Sequence, residues 1–164
     1  MNEREILIAR ANEEVSFPTK TNENGCYDLY ANFEEYEVVI PAHTTKLIPT
    51  NLCSAYSEKY RISIRERGSN TKSNLMVMAG QMDSGFRGMW FVALHNSNDI
   101  PVEITKGVDE VEKSDDFIRV PYSKAIAQFA VEFVPDVDLK EVTVEEIQSI
   151  PSIRGTGMLG SSNK

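Results

Sequence analysis

The sequence predicts an all-β fold, a barrel or sandwich of many short strands. Three observations predict it. Apolar residues recur with period two in short runs, turn-forming clusters separate those runs, and no helical pattern alternates with them.

Taken in order, Glu5-Ile6-Leu7-Ile8-Ala9 opens the series after a polar start. A turn cluster, Thr21-Asn22-Glu23-Asn24-Gly25, precedes the next β-rich stretch. Glu37-Val38-Val39-Ile40 and Thr45-Lys46-Leu47-Ile48 are parted by Pro41-Ala42-His43, and Pro49-Thr50-Asn51 closes the second of them. Tyr60-Arg61-Ile62-Ser63-Ile64 alternates cleanly, and Leu75-Met76-Val77-Met78 follows it. The turn Asp83-Ser84-Gly85 leads into Met89-Trp90-Phe91-Val92-Ala93-Leu94, which ends at Asn96-Ser97-Asn98-Asp99. Val102-Glu103-Ile104, Ile118-Arg119-Val120 and Ile126 through Phe133 complete the set. A single short helix is predicted over Lys140 to Gln148, starting at Val142-Thr143.

At 164 residues the chain suits one domain, which buries roughly two-thirds of its unfolded surface. Its net charge of −8, with no basic stripe, argues against a nucleic-acid partner. A small anion remains a suitable ligand, since backbone N–H groups and one or two arginines hold phosphates locally. No run approaches the ~20 apolar residues of a membrane-spanning helix, and Met1-Asn2-Glu3-Arg4-Glu5 is no secretion signal; a cytoplasmic protein is expected. Cys26 and Cys53 have no CxxC spacing and read as reduced structural thiols. His43 and His95 lack nearby partners for a zinc set and read as surface or packing residues.

The C-terminus has a different composition. Beyond Pro151, Arg154-Gly155-Thr156-Gly157-Met158-Leu159-Gly160-Ser161-Ser162-Asn163-Lys164 is rich in Gly and Ser. Such a segment is either a frayed tail or an arm that orders over a phosphorylated ligand. Glycines let successive N–H groups converge on an anion, and an arginine at the head supplies a planar fork. The expected division is a barrel over 1–150 and an arm over 151–164.

Four further polar clusters stand among the strands. They are Tyr27-Asp28-Leu29-Tyr30-Ala31, Arg65 through Lys72, Gly80 through Gly88, and Ser123 through Phe129. Singly, each reads equally as an ordinary turn or loop. In this order, with the Arg154–Ser162 tail behind them, they resemble the five motifs of the trimeric dUTP pyrophosphatases. The resemblance spans residues 5–164 and points to a divergent bacterial or phage-type member. It implies a jelly-roll-like distorted β-barrel with a short helix and a flexible C-terminal arm.

It also implies an activity, the Mg²⁺-dependent hydrolysis of dUTP to dUMP and pyrophosphate, which limits uracil in DNA and supplies dUMP. Asp83 would orient and deprotonate the water that attacks the α-phosphorus. Arg67, Gly68, Ser69 and Gln128 would hold the α- and β-phosphates. Arg154 with Gly160, Ser161 and Ser162 would close on the γ-phosphate, and Leu159 would cover the base. The hairpin backbone running from Gly80 through Met82 into Asp83 would read uracil, and Phe86 would pack under the deoxyribose and leave no space for a 2′-hydroxyl. Asp28 would act on the metal through water. The resemblance further implies a homotrimer: the first, second and fourth motifs of a site come from one chain, the third from a neighbour, and the arm from the last.

Departures from the family pattern fall at Gly25-Cys26, Asn51, Asn70, Gln81-Met82, Met89 and Asn163. Asn51 replaces a glycine and suits the left-handed conformation such a position needs. Two other readings are open. One is a regulatory trimer that binds a protein through the acidic insert Gly107–Asp116; the other is a relative of the dCTP deaminases.

Overall fold

The computed structural model describes residues 4–157. The chain divides into two compact units, Met1–Val134 and Pro135–Lys164.

Among the described residues, the regular structure of the first unit is all β apart from one 3₁₀ turn. Its strands are β1 (Leu7–Arg10), β2 (Tyr27–Leu29), β3 (Glu37–Ile40), β4 (Thr45–Pro49), β5 (Leu52–Ala55), β6 (Tyr60–Arg65) and β7 (Leu75–Met78). Then come β8 (Gln81–Met82), β9 (Phe91–Asn96), β10 (Val102–Thr105), β11 (Glu112–Lys113), β12 (Ile118–Pro121) and β13 (Ala127–Phe133). They form sheets of order β1-β5, β11-β12-β10-β3, β2-β13-β6-β8 and β4-β9-β7. All pairings are antiparallel except β10 with β12.

Period-two alternation sets the faces. In β13, Ala127 and Phe129 point into the core while Gln128 does not; in β6, Ile62 and Ile64 point inward while Arg61 and Arg65 stay exposed. The inward set joins Leu29, Ile40, Ile48, Leu52, Trp90, Leu94 and Ile104 in one core. Trp90 meets Phe129 edge-on with centroids 5.4 Å apart, which locks β13 against the interior. The sheet that carries the polar clusters is therefore fixed from behind by large side chains.

Four strands escape the sequence pattern. β2, β8 and β11 are only two or three residues long, too short to show a period. β5, Leu-Cys-Ser-Ala, alternates between core and half-buried positions, but its small residues give a weak signal. The left-handed Asn51 (φ 53°) turns β4 into it, as the asparagine there leads one to expect. The insert is an ordered hairpin. β11 pairs with β12, and Val111 packs on the core.

In the second unit the helix is shorter than predicted, α1 (Val144–Ser149). Thr143 caps it: its hydroxyl accepts from the Glu146 N–H, and the Glu146 carboxylate accepts from the Thr143 N–H. Pro151 follows the C-cap Ile150 and prevents continuation. Every described residue from 135 onward is exposed, including Leu139, Val144, Ile147, Ile150 and Ile153. Leu159, Gly160, Ser161 and Ser162 lie outside the described residues.

Candidate active site

β13 is the organising strand of the candidate site. Its register places Gln128 opposite Asp28 on β2 and opposite Arg65 on β6. Just past the end of β6, Arg67 leads into the 3₁₀ turn Gly68–Lys72. The Arg67 Nε lies 2.9 Å from Asp28 Oδ1, and its Nη2 donates to Asp28 Oδ2 at 3.3 Å. Its Nη1 donates to the Ala125 carbonyl at 3.3 Å and to Ser69 Oγ at 3.4 Å. Gln128 Nε2 donates to the Glu66 carbonyl at 2.8 Å, which holds the amide beside this group. Asp28, Arg67, Gly68, Ser69 and Gln128, expected from three separate motifs, thus converge on one patch.

Asn70 explains one of the departures. It is buried, and its Nδ2 donates to the Ile126 carbonyl at 3.0 Å. The 3₁₀ turn is thereby tied to the chain just ahead of β13, and a smaller residue there would lose the tie.

The hairpin is built differently. Ile64 N–H donates to the Gly80 carbonyl at 2.6 Å, and a Cβ on Gly80 would stand 2.1 Å from Ile64 O, so only glycine fits. Tyr56, buried in the core, donates from its hydroxyl to the Met82 carbonyl at 2.7 Å. The turn itself closes through backbone, Phe86 N–H to Asp83 O at 3.1 Å, so the Asp83 carboxylate is not needed to hold it. Asp83 is exposed, and with Gln81, Met82, Phe86, Met89 and Phe91 it lines an open depression. Phe86 is partly exposed and its ring lies over Gly88, where any Cβ would meet it at 2.5 Å.

These two groups are far apart in one chain. Met82 pairs with Ile62, so Asp83 falls level with the Arg61–Glu132 pair, four residues along β13 from Gln128. Four residues are about 13 Å of strand, and three strand spacings separate β8 from β2, so Asp28 and Asp83 stand about 20 Å apart. Between them the outer face carries a polar network. Glu132 accepts from Arg61 Nε at 2.9 Å, from Ser63 Oγ at 2.9 Å and from Arg65 Nη2. The Ser63 hydroxyl and Arg61 hold the Glu132 carboxyl below its ordinary range.

Comparison with known proteins gives this arrangement a family. The dUTPase family model matches residues 13–108, more than half of the chain and the region from the first cluster through the hairpin. The chain belongs to the dUTPase family. The deoxyuridine 5′-triphosphate nucleotidohydrolase of Clostridioides difficile is 29% identical over 96% of this chain and 96% of its own length. The Pol polyprotein of an ovine maedi visna related virus is 33% identical over 63% of this chain, which spans only 9% of that long polyprotein. Among solved structures, the dUTPase of Staphylococcus bacteriophage 80alpha with dUPNHPP superposes with a TM-score of 0.73 at 19% identity, covering 98% of this chain and 99% of that one. The all-β fold expected from the sequence is the dUTPase fold. Among the described residues no helix is long and apolar enough to cross a membrane.

Sequence reasoning missed Tyr56, Met89 and Phe91 as parts of the hairpin's support and lining. Tyr56 is separated from the hairpin by 26 residues, and only the register of β6 with β8 brings it beneath Met82.

Proposed function

We propose that the protein hydrolyses dUTP to dUMP and pyrophosphate, with Asp83 orienting and deprotonating the attacking water. The observation that carries the reading is the convergence of Asp28, Arg67, Ser69 and Gln128 on one patch, in a chain of the dUTPase family. Arg67, Gly68, Ser69 and Gln128 are the cradle for the α- and β-phosphates. A planar arginine fork and a hydroxyl match phosphoryl oxygens, and a neutral amide holds them without retaining the leaving pyrophosphate too tightly.

A separation of about 20 Å is too great for Asp83 to serve the cradle of its own chain, since a general base must lie within hydrogen-bond reach of its water. The site is therefore completed by another copy, whose hairpin brings Asp83 to this chain's Asp28 and Arg67, in a homotrimer. Uracil is read by the hairpin backbone between Gly80 and Asp83 that Ile64 and Tyr56 leave unengaged, and Phe86 supports the sugar. The arm 151–164 supplies Arg154, Leu159, Gly160, Ser161 and Ser162 as the lid over base and γ-phosphate.

The donor set fits Mg²⁺ in one way only. Among the described residues no group of three or more His, Cys, Asp or Glu side chains could cage a metal, and both Asp28 oxygens already face Arg67. Each carboxylate oxygen has a second lone pair, which suits a water of a hydrated ion held mainly by phosphates. When bound, the ion neutralises charge on the triphosphate.

The test is pyrophosphate release measured side by side with dUTP, dTTP, dCTP and UTP. Release from dUTP well above the other three is expected. A preference for dCTP, or no release from any, would overturn the assignment.

A further inference from the structure

A triphosphate is a polyanion, and the cation at the centre of the cradle is already matched, because two of the Arg67 nitrogens face Asp28. The next cation on the same face is Arg65. Asp28, Gln128 and Arg65 form one register row across β2, β13 and β6. Side chains in one row emerge on the same face of a sheet, and the burial pattern agrees: Leu29, Ala127, Phe129 and Ile64 are buried, whereas the row itself is not.

Arg65 is half exposed, at 54%, and its fork is engaged by Glu132. Glu132 also serves Arg61 and Ser63, so two guanidinium groups share one carboxylate and this end of the face carries excess positive charge. The neighbouring Glu66 carboxylate is turned to another strand, where it accepts from the Val77 N–H at 2.8 Å.

We propose that Arg65 is a further triphosphate-binding residue of the cradle, and that Glu132 occupies its fork until the anion arrives. The proposal rests on the cradle assignment of Arg67 and Gln128. A fork that accepts a carboxylate accepts phosphoryl oxygens with similar geometry. An ion pair this exposed contributes little, so exchanging Glu132 for phosphate costs little, and Glu132 keeps Arg61 and Ser63 as donors.

The experiment measures the affinity of the whole protein for dUpNHpp and for deoxyuridine, at low and at high salt. Arg65→Ala is expected to weaken dUpNHpp binding about tenfold, the usual scale for one charged hydrogen-bonding partner, with deoxyuridine binding unchanged. Glu132→Gln is expected to tighten dUpNHpp binding at low salt by about threefold, because the competing carboxylate is gone. Opposite signs mark a ligand-binding cation, whereas a merely structural ion pair would lose affinity in both variants. Losses in both, or parental affinity in Arg65→Ala, would overturn the proposal. Arg67→Ala separates the two levels: parental affinity there would sink the cradle itself, while loss there with Arg65→Ala unaffected removes Arg65 alone. Where Arg65→Ala does not fold, Arg65→Gln, which keeps the aliphatic stem, gives the same readings.

Discussion

Arg67 meets Asp28 through two parallel contacts, 2.9 Å from Nε to Oδ1 and 3.3 Å from Nη2 to Oδ2. Both side chains are about a third exposed, 28% for Arg67 and 33% for Asp28. A pair so accessible adds at most about 1 kcal/mol to stability. Its consequence is geometric: the carboxylate fixes the plane of the guanidinium and leaves Nη1 directed toward Ser69 and Ala125. Asp28→Asn removes the charge but little volume. We expect kcat/KM for dUTP to fall roughly tenfold to a hundredfold, on the scale of losing an orienting hydrogen-bond partner, with a melting temperature within a few degrees of the parent. Steady-state kinetics and a thermal melt check both halves of this expectation.

Asp83→Asn addresses the chemistry directly. The turn is closed by Phe86 N–H on the Asp83 backbone carbonyl, and the Arg87 Nη1 donates to the Ser84 and Phe86 carbonyls. None of these bonds uses the Asp83 carboxylate. The variant should therefore fold and bind dUpNHpp normally while kcat drops about a hundredfold or more, the contribution of a lost general base. Turnover at the parental rate would show that another group activates the water.

Tyr56 gives a pH prediction. Burial raises its hydroxyl above the ordinary tyrosine value, and the nearby Asp83 charge adds to the shift. A group raised in the folded state contributes stability that is complete below its unfolded value, about 10, and is lost as pH climbs through the folded value. Parent and Tyr56→Phe should therefore differ most at neutral pH, where the variant leaves the Met82 carbonyl unpaired at a cost of about 1–3 kcal/mol. Denaturant melts from pH 7 to 11 should show the parent losing stability at the alkaline end and the variant holding nearly constant. Parallel curves for the two would mean that Tyr56 does not report this titration.

The fold class was legible because the core strands are long enough to show their period. Tyr60–Arg65 alternates over its six residues with Ile62 and Ile64 buried, and Ala127–Phe133 starts the same way with Ala127 and Phe129 buried. The patch of Asp28, Arg67, Ser69 and Gln128 was legible only as an order of clusters, since nothing local tells that Asp28 and Arg67 touch across 39 residues. What stayed hidden was set by pairing. β8 has two residues and no period, so the register that seats Tyr56 under Met82 and puts Asp83 far from Asp28 is invisible along the chain. Arg65 reads in the sequence as one more loop charge. Only the strand register sets it in one row with Gln128 and Asp28. The acidic insert is exposed over most of its length, and the pairing of β11 with β12 that holds it, with Val111 against the core, does not show along the chain.

Truncation after Pro151 tests the arm. Residues 4–134 form their own core, and the segment from 135 onward is exposed throughout its described length, with α1 held by its own capping box. Removing 152–164 takes away Arg154 and the Gly160-Ser161-Ser162 stretch but no core side chain. The melting temperature should therefore change by no more than about 2 °C, less than the shift that 1 kcal/mol of lost stability gives in a chain of this size. Catalysis should fall at least about a hundredfold, as expected when a closing lid and its phosphate ligands are lost. Arg154→Ala in the full chain should reproduce a large part of that loss through kcat. If truncation instead lowered the melting temperature by ten degrees or so and spared kcat in the folded fraction, the segment would be a structural strap and not a lid.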